Sequence, residues 1–305
     1  SRIVALTAAM LAPTGLAPFA TEFADRVQDV GIAEQHAVTS AAGLAYGGLH
    51  PVVAVYATFM NRAIDQFIMD VALHRAPVTL VLDRAGITGP DGASHNGVWD
   101  LAMLRVVPTV RIAAPRDEPT LRALLGEAVC EGGGPTVVRF PKGSVGEPIV
   151  ALRTLEDGVD VLWESVIGTA DGSGTAAAPP RRVLLVSAGP LARAAVEAAS
   201  RLTEQGIGVT VVDPRWVIPI ADSVVELARQ HDLVVSLEDG VRAGGVGTSL
   251  SQALSVAGVD RPVVILGVPD GFLAHASRDE LLTQCGLAPT EIVRTVLDRL
   301  AAVAN

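Results

Sequence analysis

Cysteine and aromatic residues are scarce in this sequence, and long apolar runs are missing altogether. Two cysteines, Cys130 and Cys285, stand far apart in no ligand-like spacing. That excludes a disulfide framework and a zinc site, and each thiol is expected to be a small buried apolar residue. Aromatics make up 4% of the chain and the formal net charge is -10, the reverse of the clustered cations and interleaved rings of a nucleic-acid surface. What the chain does have is aliphatic bulk: 50% of its 305 residues are hydrophobic, too many for disorder and enough for large cores.

One local absence is more informative. From Gln35 to Asn61 there is no Asp, Glu, Lys or Arg. Gln35, His36, Gly47-Gly48, His50 and Pro51 divide this stretch into a short helix, a turn and a strand, each too short for the ~20 apolar residues of a membrane span. The opening "SRIVALTAAM" has no basic leader followed by a long apolar core, so no signal peptide is expected and a cytoplasmic location is. Glu34, at the edge of the uncharged stretch, is therefore expected to be desolvated, which favours the neutral, proton-sharing form of a carboxyl group.

Nearly continuous apolar runs at 51–59, 76–83, 109–115 and 135–141 read as strands buried on both faces, and 62–75 and 116–129 carry the apolar spacing of amphipathic helices. Residues 168–182, "GTADGSGTAAAPPRR", have linker composition. Strand and helix signals then restart, with strands at 183–189, 208–214, 232–239 and 262–269. The expected architecture is α/β: two doubly wound, mostly parallel-sheet domains joined by a linker, with boundaries at 1–150, 151–181 and 182–305.

In such sheets function gathers in the loops that leave the carboxyl ends of strands. Those loops bring up Tyr56, Phe59 and Arg62, then "DRAGITGPDGASHNGVWD" (83–100) with Arg84, Asp91 and His95, then Lys142. Singly each has an ordinary explanation. Glu34 suits a helix start, Phe59 a core, His95 a solvated turn, Arg84 a pair with Asp83 or Asp91, and Lys142 a surface charge. "AGGVG" (243–247) lacks the full dinucleotide fingerprint and is equally consistent with close packing.

Taken in order, "DVGIAEQHAVTSAAGLAYGG", "YATFMNRAIDQ", "LDRAGITGPDGASHNGVWDLAML", "RFPKG", "DPRWVIPI" and "LEDGVRAGGVGTSLSQAL" closely resemble the second half of the 1-deoxy-D-xylulose-5-phosphate synthases, a thiamine diphosphate family of the transketolase superfamily. The resemblance runs essentially to the C-terminus. It implies a pyrimidine-binding domain followed by a transketolase C-terminal domain. The implied reaction condenses pyruvate with D-glyceraldehyde 3-phosphate, giving 1-deoxy-D-xylulose 5-phosphate and carbon dioxide for isoprenoid, thiamine and pyridoxal synthesis. Glu34 would hydrogen-bond the aminopyrimidine of thiamine diphosphate and promote its proton transfer, Phe59 would stack on that ring, and Arg62 would line the pocket wall. Tyr56, Arg84, Asp91 and Lys142 would meet the phosphorylated substrate, and His95 would reach the reacting carbons.

Two departures stand beside the likeness. Lys142 replaces an arginine common in the family, keeping the charge but not the two-pronged grip, so Arg139 and Arg105 are further candidates to share a phosphate. No Gly-Asp-Gly magnesium motif is found. By the resemblance, Mg2+ belongs to an N-terminal domain outside this sequence, which would be the first partner, and a homodimer the expected assembly. The chain alone would be inactive. Alternatives are the β subunit of a thiamine-dependent 2-oxo acid dehydrogenase and a non-catalytic assembly module.

Overall fold

In the computed structural model, which describes residues 2–165 and 181–303, the chain folds into two α/β layers systems as the apolar runs anticipate. Most of the glycine-rich segment expected to be a linker, 168–180, lies outside the described residues. The first sheet contains β1 (Ile3–Thr7), β2 (Val27–Asp29), β3 (His50–Tyr56), β4 (Thr79–Asp83), β5 (Arg111–Ala113) and β6 (Thr136–Arg139). The second contains β7 (Arg153–Thr154), β8 (Asp160–Glu164), β9 (Arg182–Ser187), β10 (Gly208–Asp213), β12 (Leu233–Val241) and β13 (Val263–Val268), while β11 (Trp216–Ile218) crosses back to the first.

The strand orders are β11-β5-β6-β4-β3-β1-β2 and β13-β12-β9-β10-β8-β7. Every pairing in the first sheet is parallel except β11 with β5, and in the second only β8 pairs antiparallel, with β10 and with β7. Two features were not expected. Residues 153–154 and 160–164, placed with the connecting segment, build the edge of the second sheet, and "WVI" in "DPRWVIPI" extends the first.

Alternate residues of one strand face opposite layers, so both faces must be apolar. Val53, Val55, Leu80 and Leu82 pack with the buried alanines of helix Glu34–Tyr46 and with Phe67 and Val71. Val52, Ala54 and Val81 face the other way, toward Leu125 and Val129 of helix Glu118–Cys130. The expected amphipathic helix over 62–75 is instead a 3-10 turn (Asn61–Ala63), a short α turn (Ile64–Gln66) and a π turn (Phe67–Ala72). The wider turn brings Phe67 and Ala72, five apart, onto the buried side together with Val71. Cys130, expected to be buried, is exposed at the end of its helix, and Cys285 is half-buried.

Two guanidinium groups bind the layers together. Arg116, which follows β5, donates to Asp160 on β8 at 2.7 Å and to Asp213 on β10 at 2.8 Å. Arg139, at the end of β6 and 1% exposed, donates to Asp100 at 2.6 Å and to Asp239 on β12 at 3.1 Å. Asp239 has a second guanidinium on its other oxygen, Arg278 at 2.8 Å. Burial would raise its pKa, but the two cations outweigh that and hold the carboxyl below its ordinary range. Among the described residues Asp100 pairs with one cation, and burial pushes it up. Arg139 is thus spent inside the molecule, and the expectation that it shares a substrate phosphate is corrected.

Replacing Arg139 with methionine leaves Asp100 and Asp239 short of a buried partner. Urea unfolding of Arg139→Met should show a loss of about 3–5 kcal/mol, the usual cost of breaking a buried pair from one side; a loss under about 1 kcal/mol would contradict a fixed ion row.

Glu238, fully buried on β12, accepts backbone N–H groups of Val246 at 2.8 Å and Gly247 at 2.9 Å, at the start of helix Val246–Val256. Burial pushes its carboxyl up to about 7. Between the unfolded carboxyl range and that value the folded chain binds the extra proton, so its contribution is full at low pH and is lost as pH rises through about 7. The loss is on the order of 3 kcal/mol at most. Thermal unfolding from pH 5 to 8 should show this decline, and Glu238→Gln should flatten it; an unchanged slope would remove Glu238 as its source.

Candidate functional site

Loops at the carboxyl ends of β2, β3, β4 and β6 converge on one region of the first domain. β3, β4 and β6 are consecutive in the sheet, with Tyr56 beside Asp83 and Leu82 beside Arg139 in register. Whatever follows Tyr56, Asp83 and Arg139 must therefore emerge together.

Glu34 is the first residue of helix Glu34–Tyr46 and is 3% exposed. The uncharged stretch behind it supplies Ala37, Val38, Ala41 and Ala42 as buried packing. Its Oε2 accepts from Nη1 of Arg62 at 3.4 Å, and the same guanidinium lies 5.5 Å from the ring centre of Phe59. Arg62 keeps 53% of its side chain exposed, so the buried acid has a partner that faces outward.

Phe59 is not strand, as its run implied; it sits in the short helix Ala57–Met60 that turns directly off β3. The turn stacks its ring on Tyr56, centroids 5.8 Å apart and 19° between planes, and the imidazole of His95 meets it edge-on at 5.8 Å. Arg84 takes a left-handed backbone, φ 58°, and lays its guanidinium 4.0 Å from the Tyr56 ring centre. Its Nη1 reaches Asp91 at 3.3 Å, which decides between its two acidic neighbours. Lys142 Nζ donates to both oxygens of Asp91 at 2.7 Å. That bond, with the nearby Arg84 and His95 charges, holds the Asp91 carboxyl below its ordinary range.

Eight of the residues singled out from the sequence are thus linked by contact: Glu34 to Arg62, Arg62 to Phe59, Phe59 to Tyr56 and His95, Tyr56 to Arg84, and Arg84 and Lys142 to Asp91. The cluster has an acid end at Glu34, an aromatic middle and a cationic end. Arg105 does not join it, donating instead to Gly244 O and Gln252 Oε1. Behind the cationic end, Asp83, Arg84 and Lys142 border a cleft of about 1140 Å³ whose far wall includes Arg193, Arg278 and Leu287 of the second domain. Asp83, at its floor, has its carboxyl raised by burial, with Arg84 opposing.

The loop 83–100 is pinned by its own polar groups. Gly86 N–H donates to Gly97 O at 2.8 Å, Thr88 donates from N–H and Oγ1 to Asn96 Oδ1 at 2.8 and 3.1 Å, and Thr58 Oγ1 holds Ser94 O at 3.0 Å. Sequence reasoning missed Asp100, Asp239 and Arg278 around it. The signal was there: "VVSLED" ends a run of buried aliphatics with two carboxylates, and buried carboxylates need cations nearby.

Family models describe residues 1–148 as "Transketolase, pyrimidine binding domain" and residues 174–292 as "Transketolase, C-terminal domain". Among curated proteins, the 1-deoxy-D-xylulose-5-phosphate synthase of Clavibacter sepedonicus is 60% identical over 97% of this chain, and that of Leifsonia xyli 58% over 97%. The chain spans 44% of the length of each. Among solved structures, the inactive β4 tetramer of a split gene transketolase matches with a TM-score of 0.81 and 29% identity, over 98% of this chain and 92% of that one. Transketolase from Campylobacter jejuni matches in fold, with a TM-score of 0.76 at 16% identity over 97% of this chain and 44% of that one. The chain therefore belongs to the transketolase superfamily, carrying its pyrimidine-binding and C-terminal domains, and over them it is similar to the 1-deoxy-D-xylulose-5-phosphate synthases.

Proposed function

We propose that this chain supplies the pyrimidine-binding half of a thiamine diphosphate site that condenses pyruvate with D-glyceraldehyde 3-phosphate to 1-deoxy-D-xylulose 5-phosphate and carbon dioxide. The observation that carries the reading is the unbroken contact path from buried Glu34 to the Asp91, Arg84 and Lys142 group. A buried acid beside an aromatic face suits an aminopyrimidine, and cations beyond it suit a substrate phosphate.

Glu34, Phe59 and Arg62 are the residues here that would hold the cofactor. When bound, thiamine diphosphate supplies the nucleophilic carbon and electron sink for removing carbon dioxide from a 2-oxo acid. Among the described residues Glu34 makes one ion pair, through Oε2 to Arg62 at 3.4 Å, which leaves its other carboxyl oxygen suited to exchange a proton with a ring nitrogen. Phe59, already stacked on Tyr56 and edged by His95, offers a flat apolar shelf. His95, whose imidazole can both give and accept a proton, would move protons at the reacting carbons.

At the cationic end, Asp91 occupies both Lys142 and Arg84, with side chains between 23% and 36% exposed. Pairs so exposed are worth about 0–1 kcal/mol. A doubly charged phosphate would compete for them with little resistance. Mg2+ and the diphosphate grip would come from an additional domain, and the assembly would be a cytoplasmic homodimer. Exposed apolar Ile32, Tyr46, Met69 and Leu73 on the elements around Glu34 and Arg62 suit a surface covered by other protein. The synthase names of the relatives favour this reading over the dehydrogenase subunit. The β4 tetramer of the split gene transketolase is inactive, which is in keeping with an isolated chain of this span lacking turnover.

The test is reconstitution with the diphosphate-binding domain of a close relative, thiamine diphosphate, magnesium, pyruvate and glyceraldehyde 3-phosphate. Sugar phosphate and carbon dioxide should form together, and Glu34→Ala should lower turnover by about 10²–10⁴-fold. A folded complex that yields no sugar phosphate would sink the reaction, and turnover unaffected by Glu34→Ala would remove that carboxyl from it.

In the same assay Lys142→Ala should raise KM for glyceraldehyde 3-phosphate about 10- to 100-fold, the value of a charge-assisted contact, with KM for pyruvate unmoved. Equal increases for both substrates would instead mark Lys142 as a support for the loop.

A further inference from the structure

The loop 83–100 has two feet in the ion row that joins the domains. At its first foot the carbonyl of Ile87 accepts from Arg278 Nη1. At its second, Asp100 receives Arg139 Nε at 2.6 Å and Nη2 at 3.4 Å. Both guanidinia then meet on one carboxylate of the second domain, with Arg139 on Asp239 Oδ1 at 3.1 Å and Arg278 on Oδ2 at 2.8 Å. Each oxygen of Asp239 thus serves a different foot.

Close backbone contact reinforces the first foot. Gly86, at φ 77°, lies so near Asp239 that a Cβ there would run into the carboxylate. A Cβ on Gly89 would stand 2.8 Å from the backbone N of Arg278 and 3.3 Å from Ala276 O. His275 Nδ1 is 3.2 Å from Pro90 O, next to Asp91 itself.

We propose that Arg278 is a positioning residue: from the second domain it clamps the start of the 83–100 loop and so sets where Asp91 and His95 stand. For catalysis this rests on the function proposed above. Arg278 touches neither residue and acts through the Ile87 carbonyl. It differs from Arg139 in burial, with 22% of its side chain exposed against 1%. Arg278 opens helix Arg278–Gln284, whose start is secured separately by the mutual capping of Ser277 and Glu280. Loss of the guanidinium therefore frees the loop without unmaking the helix. The arrangement gives the second domain a part in a site to which it contributes no candidate reacting group.

Amide hydrogen exchange on the 305-residue chain tests the clamp without turnover. In Arg278→Gln, the amides of Gly86, Thr88, Gly92 and His95, each hydrogen-bonded within the loop, should exchange about 10-fold faster. The amides of β4, β6 and helix Arg278–Gln284 should keep their protection. Arg278→Lys should fall between, and Gly86→Ala, which forces Asp239 away, should loosen the same amides. In the reconstituted enzyme, Arg278→Gln should raise KM for glyceraldehyde 3-phosphate about 10-fold with KM for pyruvate unchanged. Unchanged exchange over 86–97, or faster exchange spread through the whole second domain, would overturn the clamp. Because exchange is read on the unreacted chain, it decides the clamp even where reconstitution fails to yield product.

Discussion

A buried carboxylate with a guanidinium on each oxygen is the interaction on which the arrangement of this chain turns. Asp239 is fully buried, and taking it out of water is costly unless the charge is met on both sides. Arg139 comes from the first sheet and Arg278 from the second domain, so meeting that charge requires the layers to sit in one relation. Asp100 completes a row of two acids and two bases with no net charge. Apolar residues of similar volume would hold the layers together as tightly. What ions add is directionality, since a guanidinium tolerates less sliding than a methyl group.

The same row explains why glycine is dense in the loop it supports. Gly86 must let its backbone approach a carboxylate, and Gly89 must let the chain pass against another backbone. Both take φ near 80°, which side chains resist. These glycines serve for close seating. Strand ends of one domain present the groups of the candidate site, and the neighbouring domain supplies the surface that fixes their loop.

Much of this was legible beforehand, and the limits have physical causes. Strands buried on both faces announce themselves by unbroken aliphatic runs, so β3, β4, β9 and β10 fall close to their expected places. The run through Phe59 overshot because apolar character continues past Tyr56 into a helical turn, where periodicity over four residues cannot separate the two. The π turn after Asn61 was invisible, since a spacing of five mimics an irregular helix. Glu34 was found because an uncharged region makes a lone carboxylate conspicuous. Arg139 misled for the complementary reason. A cation at a strand end looks available until its partners, 39 residues before it and 100 after it in the chain, are known.

The order along the contact path also bears on how a site shared between domains can be assembled. Its groups grade from a buried acid, through flat rings, to cations held by a half-buried acid, and all of them come from the loops of one sheet with the second domain behind them. Nothing in that path depends on another chain for its internal contacts. If a complementary domain brings the metal and the diphosphate grip, it meets side chains already in register with one another, and little ordering has to be done at the moment of assembly. Arg62 marks where the meeting would occur: bonded to Glu34 on one side and half exposed on the other, it is the part of the path that faces outward from the buried acid. Preorganisation of this half makes a separate chain, or a separate domain, a workable division of the site.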